Sequence, residues 1–431
     1  TLHSAFYHYM QNRDSKSESV ASIKKVLLSD TEYSRRTAYV LSRSGYTQEY
    51  RIDSSIMQKL KNFEPLRLSS TNLEEYNLCH FKYFCNQCLK LKSCEKVELD
   101  ARVSGELIHE CFSSILAARS KNEFVTMSFD QLKTEINNCA DNYRNNKLAG
   151  EFGKNGLFEL KYKKLTERLT DVFMHTQHAL MNSSFTPVKY ELDLRKEHSV
   201  VLPFAGNKKL SFGGIVDRVD TCEIDGEKYV RIVDYKSSHK SINAASLAGG
   251  INIQMLLYLF ASTDKGGSYD DHKPAGVLYS PIQLSDVKVD DHRIEDRNEK
   301  VIRSELKTSG LLLGDYKILD AMEKGIAGEY IPAKLTKSGE LDSRSGCISE
   351  SSMKRLREYT YRKLTNMAEE LYSGHAEAVP LIIGKSAPCD YCDYANICDN
   401  SELMLYRAPD EAALAEAEDI LSHKTDKETE V

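Results

Sequence analysis

Three charged residues near the middle of the chain have the types and spacing that metal-dependent hydrolysis requires: Asp217, Asp234 and Lys236. The turn signal Asp225-Gly226 predicts a hairpin, in which Asp217 on one strand can face Asp234 on the next. Asp234 and Lys236 are two positions apart, so they share one face of a strand. Two carboxylates and an ammonium would then converge, as hydrolysis of a phosphodiester with a Mg²⁺ ion needs.

The residues before the two carboxylates distinguish this pattern from a charged triplet on an ordinary exposed strand. Asp234 follows the apolar run "VRIV", and a carboxylate at the end of a buried strand needs a partner or a metal. Gly213 and Gly214 precede Asp217, where they allow backbone or ligand to approach closely. The sequence therefore favours a buried site over a solvated face.

Two helical segments could complete this site. His109 and Glu110 lie in "GELIHECF", and Gln254 and Tyr258 lie one helical turn apart in "INIQMLLYL". A single histidine or a polar stripe on a helix is more often structural than catalytic. These residues therefore indicate a catalytic site only in combination with the two carboxylates.

Eleven cysteines form a second feature with metal-binding spacing. The C-x2-C-x5-C group Cys389, Cys392 and Cys398 lacks the fourth thiolate that a tetrahedral ion or an iron–sulfur cluster normally uses. The earlier group Cys79, Cys85, Cys88 and Cys94 could bind one zinc ion by itself. The three C-terminal cysteines would then have no metal to bind. The alternative is that one early cysteine completes the late group, and spacing alone leaves both alternatives open.

Composition limits the class of protein. The chain has 431 residues, 58 basic against 64 acidic side chains and a net charge of −6, so it is not a wholly basic nucleic-acid coat, although a basic groove inside an acidic shell remains compatible. We expect no signal peptide, and the sequence contains no apolar run near the roughly 18 residues of a membrane span. We therefore expect a cytoplasmic protein without a membrane partner. Because the first residue is Thr1, we expect a processed chain or an excised fragment.

The periodicity of apolar residues predicts the elements that position these groups. Helices are expected over most of 101–185, at 251–262 and at 350–375, and a capping box is expected between Ser70 or Thr71 and Glu74. Three antiparallel strands are expected within 189–238, a strand at 274–282 and a hairpin at 328–343. Residues 1–65 have no self-contained apolar pattern, and the tail after residue 401 is expected to fray.

The segments "GELIHE", "GGIVDRVD", "IVDYKSS" and "QMLLYL", in this order, resemble the four motifs of RecB-type nucleases in the PD-(D/E)XK superfamily. Cys79 before them and the C-x2-C-x5-C group after them are similar to the iron–sulfur nuclease domains of the AddB family. The resemblance covers about residues 65–400. It implies an α/β fold that leans towards α+β, with a central mixed sheet flanked by helices and large helical insertions.

The same resemblance implies three parts of the chain. Residues 1–65 would be a helical connector at the end of a larger helicase-like region, 66–400 the nuclease domain closed by its cluster, and 401–431 a polar acidic tail. The sequence departs from the family pattern at Cys79-His80-Phe81, where the family usually has Cys-Pro-Phe. His80 would then be an additional candidate ligand beside the cysteine.

Each residue that matches a family motif acquires an implied role. Asp217, Asp234 and Lys236 would be catalytic, and Gln254 and Tyr258 would position the DNA backbone. Mg²⁺, or Mn²⁺ in its place, would be bound by His109, Asp217, Asp234 and the backbone carbonyl of Tyr235. Cys79, Cys389, Cys392 and Cys398 would bind a [4Fe–4S] cluster with a structural role, because it closes a loop of some three hundred residues.

The function implied is that of a bacterial, cytoplasmic exonuclease acting on single-stranded DNA that a helicase exposes, on the 5′-ended strand, in double-strand-break repair and recombination. An AddA-like helicase–nuclease subunit would supply the motor, because Gly384-Lys385-Ser386 has Val379 where a P-loop needs glycine. One alternative is a clamp or scaffold that binds single-stranded DNA without hydrolysis. A less favoured one is a redox or zinc protein whose cysteines carry the chemistry. The intact set of Asp217, Asp234 and Lys236 favours the enzyme.

Overall fold

The computed structural model describes residues 1–12, 17–43, 51–91, 101–147, 156–197, 200–236, 240–282, 299–384, 388–398 and 406–425. The chain divides into two compact units, Thr1–Tyr50 and Arg51–Val431. The first contains helices α1 (Leu2–Asn12), α2 (Glu18–Ser29) and α3 (Thr31–Arg43). Tyr9, Val20 and Leu27 are buried together, so this segment has the small core that its apolar pattern did not predict. The boundary predicted after residue 65 lies inside the second unit.

The second unit is built on a mixed six-stranded sheet, which confirms the predicted fold class. Its strands are β2 (Thr186–Asp193), β5 (Ile215–Ile224), β6 (Glu227–Lys236), β7 (Lys273–Pro281), β8 (Ser309–Leu313) and β9 (Cys347–Ile348). They lie side by side in this order, with β6–β7 and β8–β9 parallel and the other neighbours antiparallel. The strand β6 is central, and all six residues of "VRIVDY" are buried because both faces of the sheet are covered.

A second sheet has three strands, β1 (Leu66–Leu68), β3 (Val200–Phe204) and β4 (Lys208–Phe212), in the order β1-β4-β3. The prediction of three strands within 189–238 was therefore wrong in number, because the segment before residue 205 forms β2, the short helix α11 (Leu194–Glu197) and then β3 in a different sheet. The predicted turn at Asp225-Gly226 is confirmed. Both of its residues, like Ala205-Gly206 between β3 and β4, have the positive φ angles that tight hairpin turns require.

Helices cover the sheet and carry the remaining candidate residues. They are α4 (Ser54–Leu60), α5 (Ser70–Leu78), α6 (His80–Tyr83), a π-helical turn (Phe84–Cys88), α7 (Ala101–Ala117), α8 (Lys121–Val125), α9 (Phe129–Lys147), α10 (Gly156–Met181), α12 (Ala244–Ala248), α13 (Gln254–Thr263), α14 (Glu299–Glu305), α15 (Tyr316–Met322), α16 (Glu350–Tyr372) and α17 (Glu411–Ser422). The predicted helices at 101–185, 251–262 and 350–375 are confirmed. The helices α7, α9 and α10 share one core, which Tyr235 of β6 joins to the sheet.

Several boundaries differ from the prediction. The capping box at the start of α5 is formed by Ser69 and Asn72, not by Glu74. The expected hairpin at 328–343 is a turn with a single bridge between Leu335 and Leu341. In the tail, Ala417 and Ile420 of α17 are fully buried, so the prediction of fraying was wrong for this helix. Among the described residues, each helix is too short or too polar to span a bilayer.

Candidate active site

The hairpin of β5 and β6 brings the two predicted carboxylates to one end of the sheet. Arg218 pairs with Val233 in the antiparallel ladder, so Asp217 and Asp234 come next on the two strands. The backbone N–H of Tyr235 donates a hydrogen bond to Asp217 Oδ2 over 2.8 Å. This bond fixes the Asp217 carboxylate against the end of β6.

His109 joins the site from α7. Its Nδ1 lies 3.3 Å from Asp217 Oδ2, and the helix is held in place by Phe112, whose ring stacks on Tyr235 at a centroid distance of 4.0 Å. Burial alone would lower the pKa of His109, but the carboxylates of Asp217, Asp234 and Glu191 outweigh it and raise that pKa. Glu110 pairs with Lys147 over 2.9 Å, and both line the same cleft as His109.

Asp234 is the most perturbed carboxyl group of the site. It is only 4% exposed, and burial together with the neighbouring Asp217 raises its pKa to about 7, although Lys236 opposes the shift. Lys236 Nζ lies 2.8 Å from Asp234 Oδ2, an ion-pair distance. That oxygen nevertheless accepts no hydrogen bond of acceptable geometry from any described group. A buried carboxylate oxygen in this condition is suited to bind a cation, so the residues present fit a divalent metal.

Glu191 is a candidate residue that sequence reasoning missed. It lies on β2 opposite Asp217, since Tyr190 pairs with Arg218 and Leu192 with Val216. Ligand atoms of Glu191, His109 and Asp217 all lie within 4.8 Å of one another. Its φ of +48° is rare for a residue other than glycine, and burial, then the charge of Asp217, raises its pKa. An open cleft of about 570 Å³ reaches both Glu191 and His109 from the solvent.

Gln254 and Tyr258 on α13 lie side by side, as predicted from their helical spacing. Gln254 Nε2 is 3.2 Å from the Tyr258 hydroxyl, which in turn lies 2.8 Å from the hydroxyl of Ser70. A Cβ atom on Gly214 would collide with the Tyr258 ring, which explains the glycine just before Asp217. Burial raises the pKa of Tyr258, and the charges of Asp234 and Asp217 add to the shift, so this hydroxyl lies near the carboxylates.

Lys236 has a second acidic neighbour in Glu74, which comes from α5. Glu74 Oε1 accepts a hydrogen bond from the backbone N–H of Asn252 over 3.1 Å. Burial raises the pKa of Glu74, while Lys240 and Lys236 lower it. The helix α5 therefore contributes a carboxylate whose charge interacts with that of the candidate catalytic lysine.

The second aspartate of "GGIVDRVD" has a separate role. Asp220 is fully buried and accepts hydrogen bonds from Arg218 over 2.8 and 3.1 Å and from Arg231 over 3.0 Å. Burial would raise the pKa of Asp220, but the two guanidinium groups outweigh it and lower that pKa. Asp217 is thus the site carboxylate, and Asp220 belongs to a buried charge network beneath it.

The cysteines of the two groups meet although the sequence separates them widely. Burial first, and then the thiols of Cys398 and Cys392, raise the pKa of Cys79 to about 11. Cys389 adjoins Cys392, whose backbone N–H donates to the Cys389 carbonyl over 3.2 Å. The chain before this group is held to the helices around Cys79, since Leu381 N donates to Leu78 O over 2.8 Å.

Cys85 is a further thiol at this position. Its pKa is raised to about 11 by burial and then by Cys392, Cys398 and Cys79. Cys94 lies outside the described residues. His80 is turned away from the thiols: its ring stacks on Tyr76, and its Nδ1 lies 2.9 Å from Glu377 Oε2.

The spacing of these thiols bears on the kind of metal they fit. Tetrahedral zinc with Zn–S bonds of about 2.3 Å holds its sulfur atoms roughly 3.8 Å apart. Among the described residues, the ligand sets whose atoms all lie within 4.8 Å of one another include no cysteine. A cube of four irons and four sulfides separates its thiolates further than a single ion does.

Comparison with known proteins gives a family and several relatives. The family model described as PD-(D/E)XK nuclease superfamily matches residues 67–399. An ATP-dependent helicase/deoxyribonuclease subunit of Thermoanaerobacter sp. (strain X514) is 27% identical over 374 residues, which are 84% of this chain and 32% of the relative. The subunits of the same name from Clostridium perfringens (strain SM101) and Clostridioides difficile (strain 630) are 28% identical over 388 residues and 29% identical over 391. These alignments cover 86% and 87% of this chain, but only 33% and 34% of the relatives, so the chain spans about a third of their length.

Proposed function

This chain belongs to the PD-(D/E)XK nuclease superfamily, and from that premise we propose that it is a Mg²⁺-dependent deoxyribonuclease that hydrolyses single-stranded DNA as an exonuclease. The observation that carries the proposal is that the sheet brings Asp217, with His109 3.3 Å away, to the same end as the buried Asp234, whose Oδ2 lies 2.8 Å from Lys236 Nζ. A clamp that binds DNA without hydrolysing it has no need of this set, so the set favours the enzyme.

The site residues have two proposed roles, metal binding and stabilisation of negative charge. His109, Asp217, Asp234 and the Tyr235 carbonyl would hold the metal, and Glu191 lies close enough to His109 and Asp217 to assist. Mg²⁺, or Mn²⁺ in its place, would supply Lewis acidity towards the phosphate and lower the pKa of its bound water. The Lys236 ammonium, beside Asp234, can donate hydrogen bonds to a water molecule or to a phosphate oxygen and so stabilise developing negative charge.

Gln254 and Tyr258 would orient the scissile strand. Their polar atoms lie together on one face of α13, near the two aspartates. A hydroxyl and an amide can donate to phosphate oxygens without reading the base, which suits a nuclease that tolerates many sequences. They are therefore assigned to positioning and not to the chemical step.

The cysteines are proposed to bind a [4Fe–4S] cluster through Cys79, Cys389, Cys392 and Cys398. The proximity of Cys79 to Cys392 and Cys398 supports this assignment. Its role would be structural, since it ties the segment before the catalytic strands to the segment after them. Cys85 is the competing fourth ligand, and the two choices are distinguished by replacing each in turn.

The biological setting follows from the relatives, whose names join a helicase with a deoxyribonuclease. We assign this chain to an AddAB-type complex of the bacterial cytoplasm, in which an AddA-like subunit supplies ATP-driven unwinding. The nuclease would act on the 5′-ended strand during double-strand-break repair and recombination.

The decisive experiment is cleavage of single-stranded DNA, labelled at either end, by the anaerobically purified chain with Mg²⁺. Asp234→Ala should abolish cleavage, whereas Asp419→Ala, which removes an exposed carboxylate from α17, should not. The order in which labelled products appear reports strand polarity. Equal cleavage by wild type and Asp234→Ala, or none by a wild-type chain shown to be folded, would contradict the proposal for this chain.

A further inference from the structure

A groove of about 910 Å³ runs over the outer face of the three-stranded sheet. Strand alternation puts Leu66, Leu68 and Leu210 into the core, so that Arg67 on β1 and Lys209 on β4 are exposed on the opposite face. Both line the groove. The sheet thus presents cations along a surface that the catalytic residues do not occupy.

The charge of this groove contrasts with that of the whole chain. Its lining contains Arg67, Arg195, Lys208 and Lys209 against the single carboxylate of Glu64, whereas the chain carries a net charge of −6. Lys208 pairs with Glu64 over 2.7 Å, and Arg195 pairs with Asp193 over 2.7 Å. Within the described part of the chain, Arg67 and Lys209 have no ion-pair partner, so two cations are available to an anion from solution.

One end of the groove lies close to the candidate active site. Its lining includes Gly213, and a Cβ atom there would come within 2.9 Å of Arg195 Cγ. The next residue, Gly214, packs against the Tyr258 ring, and Asp217 follows three positions later. At the same end, Ser69 lines the groove, and its neighbour Ser70 contacts the Tyr258 hydroxyl. Tyr258 therefore stands between the groove and the carboxylates.

We propose that this groove binds the phosphate backbone of the DNA strand beside the candidate active site, an inference that rests on the proposed nuclease function. Unpaired cations along a groove suit an extended polyanion, and the absence of aromatic rings from its described lining indicates contact with the backbone instead of stacking with bases. Arg67 and Lys209 are the residues that hold the strand. Binding here is independent of base sequence.

The test measures binding without cleavage. The full chain is titrated with a fluorescent single-stranded oligonucleotide of roughly 16 nucleotides in EDTA, at several salt concentrations. Each phosphate contact contributes about 0.7 to the slope of log K against log salt, so Arg67→Gln/Lys209→Gln should lower that slope by about 1.4. The control Lys133→Gln/Lys164→Gln removes the same charge from exposed positions outside the groove and should leave the slope unchanged.

Each outcome decides one proposal. An unchanged slope in the groove variant, or an equal loss in the control, would overturn the groove while leaving the nuclease proposal intact. If the slope is lower in the groove variant but the wild-type chain never cleaves DNA with Mg²⁺, the groove proposal is supported and the nuclease proposal is contradicted. A slope that falls for an RNA oligonucleotide of the same sequence but not for DNA would overturn the choice of DNA as the bound strand.

Discussion

The hydroxyl groups of Ser70 and Tyr258 lie 2.8 Å apart, although 188 positions separate them in the chain. Ser70 begins α5, and Cys79 is the residue at which that helix ends. Between them, Glu74 lies beside Lys236. One helix of nine residues therefore connects a proposed cluster ligand with two parts of the candidate active site. Loss of the cluster should therefore affect the part of the site around Tyr258 that is proposed to position DNA.

Cys79→Ser should lose the cluster and destabilise the second unit. In the chain-entropy model, opening a cross-link of about three hundred residues costs up to about 5 kcal/mol, and α5 would lose its anchor. We expect loss of iron and sulfide, a lower melting temperature and a higher KM for single-stranded DNA. Iron and sulfide analysis and calorimetry of anaerobically purified protein provide the measurements.

The matched control is Cys222→Ser, because Cys222 lies on β5 away from the other thiols. It should keep its iron. Full iron in Cys79→Ser together with its loss in Cys85→Ser would assign the fourth ligand to Cys85. Zinc without sulfide in the wild-type protein would rule out the cluster.

The contact between Ser70 and Tyr258 should be measurable as a coupling energy. Ser70→Ala and Tyr258→Phe each remove one hydroxyl, and a net hydrogen bond contributes about 1 kcal/mol to stability. In a double-mutant cycle of denaturant unfolding, we expect a coupling near that value. Additive effects of the two substitutions would show that the hydroxyls do not interact in solution.

The sequence predicted the placement of those candidate residues whose neighbours in the chain explain it. Asp234 follows its own buried strand, and Gln254 and Tyr258 share one helix, so local periodicity was enough to place them, while their roles rest on the family resemblance and stay predictions. Glu191 was missed because its position opposite Asp217 depends on strand pairing across an inserted helix and a second sheet. The capping box was predicted at the wrong residue because Glu74 Oε1 accepts a hydrogen bond from the backbone N–H of Asn252, a partner 178 positions away.

Asp220→Asn should destabilise the protein far more than Asp217→Asn. Asp220 is fully buried between Arg218 and Arg231, and removing one member of such a group leaves uncompensated charge at a cost of about 3–5 kcal/mol. Asp217 is partly exposed at the edge of the site. Urea unfolding should therefore separate the variants, with Asp217→Asn folded and inactive and Asp220→Asn strongly destabilised. Similar stabilities would contradict this division of the motif.

Asp234→Asn should raise the stability of the metal-free protein at alkaline pH. The pKa of Asp234 is raised from 3.8 to about 7, so the folded state binds its proton more tightly than the unfolded state. This group therefore lowers stability as pH rises from about 4 to about 7, and the neutral amide removes that effect. In EDTA, the melting temperature of the variant minus that of wild type should grow across this interval and then level off.

Mg²⁺ provides the complementary measurement on the same variant. At about pH 8 the ion should raise the melting temperature of the wild-type protein, because it binds the folded state, and should have little effect on Asp234→Asn. A variant that is less stable than wild type in EDTA at this pH would show that the ionised carboxylate is not strained by burial. Equal stabilisation of both proteins by Mg²⁺ would place the metal elsewhere.

Glu191→Gln should weaken metal binding without unfolding the protein. Glu191 lies within 4.8 Å of the ligand atoms of His109 and Asp217, and loss of a supporting group around a metal typically reduces affinity about 10-fold or more. We therefore expect the Mg²⁺ concentration for half-maximal cleavage to rise by about that factor, with activity recovered at high Mg²⁺. The control Glu227→Gln removes an exposed carboxylate at the other end of β6 and should leave the Mg²⁺ dependence unchanged. If the Mg²⁺ requirement of Glu191→Gln is unchanged, the Glu191 side chain contributes nothing to the bound ion. The rare backbone angle of Glu191 would then serve the fold of β2 and not the site.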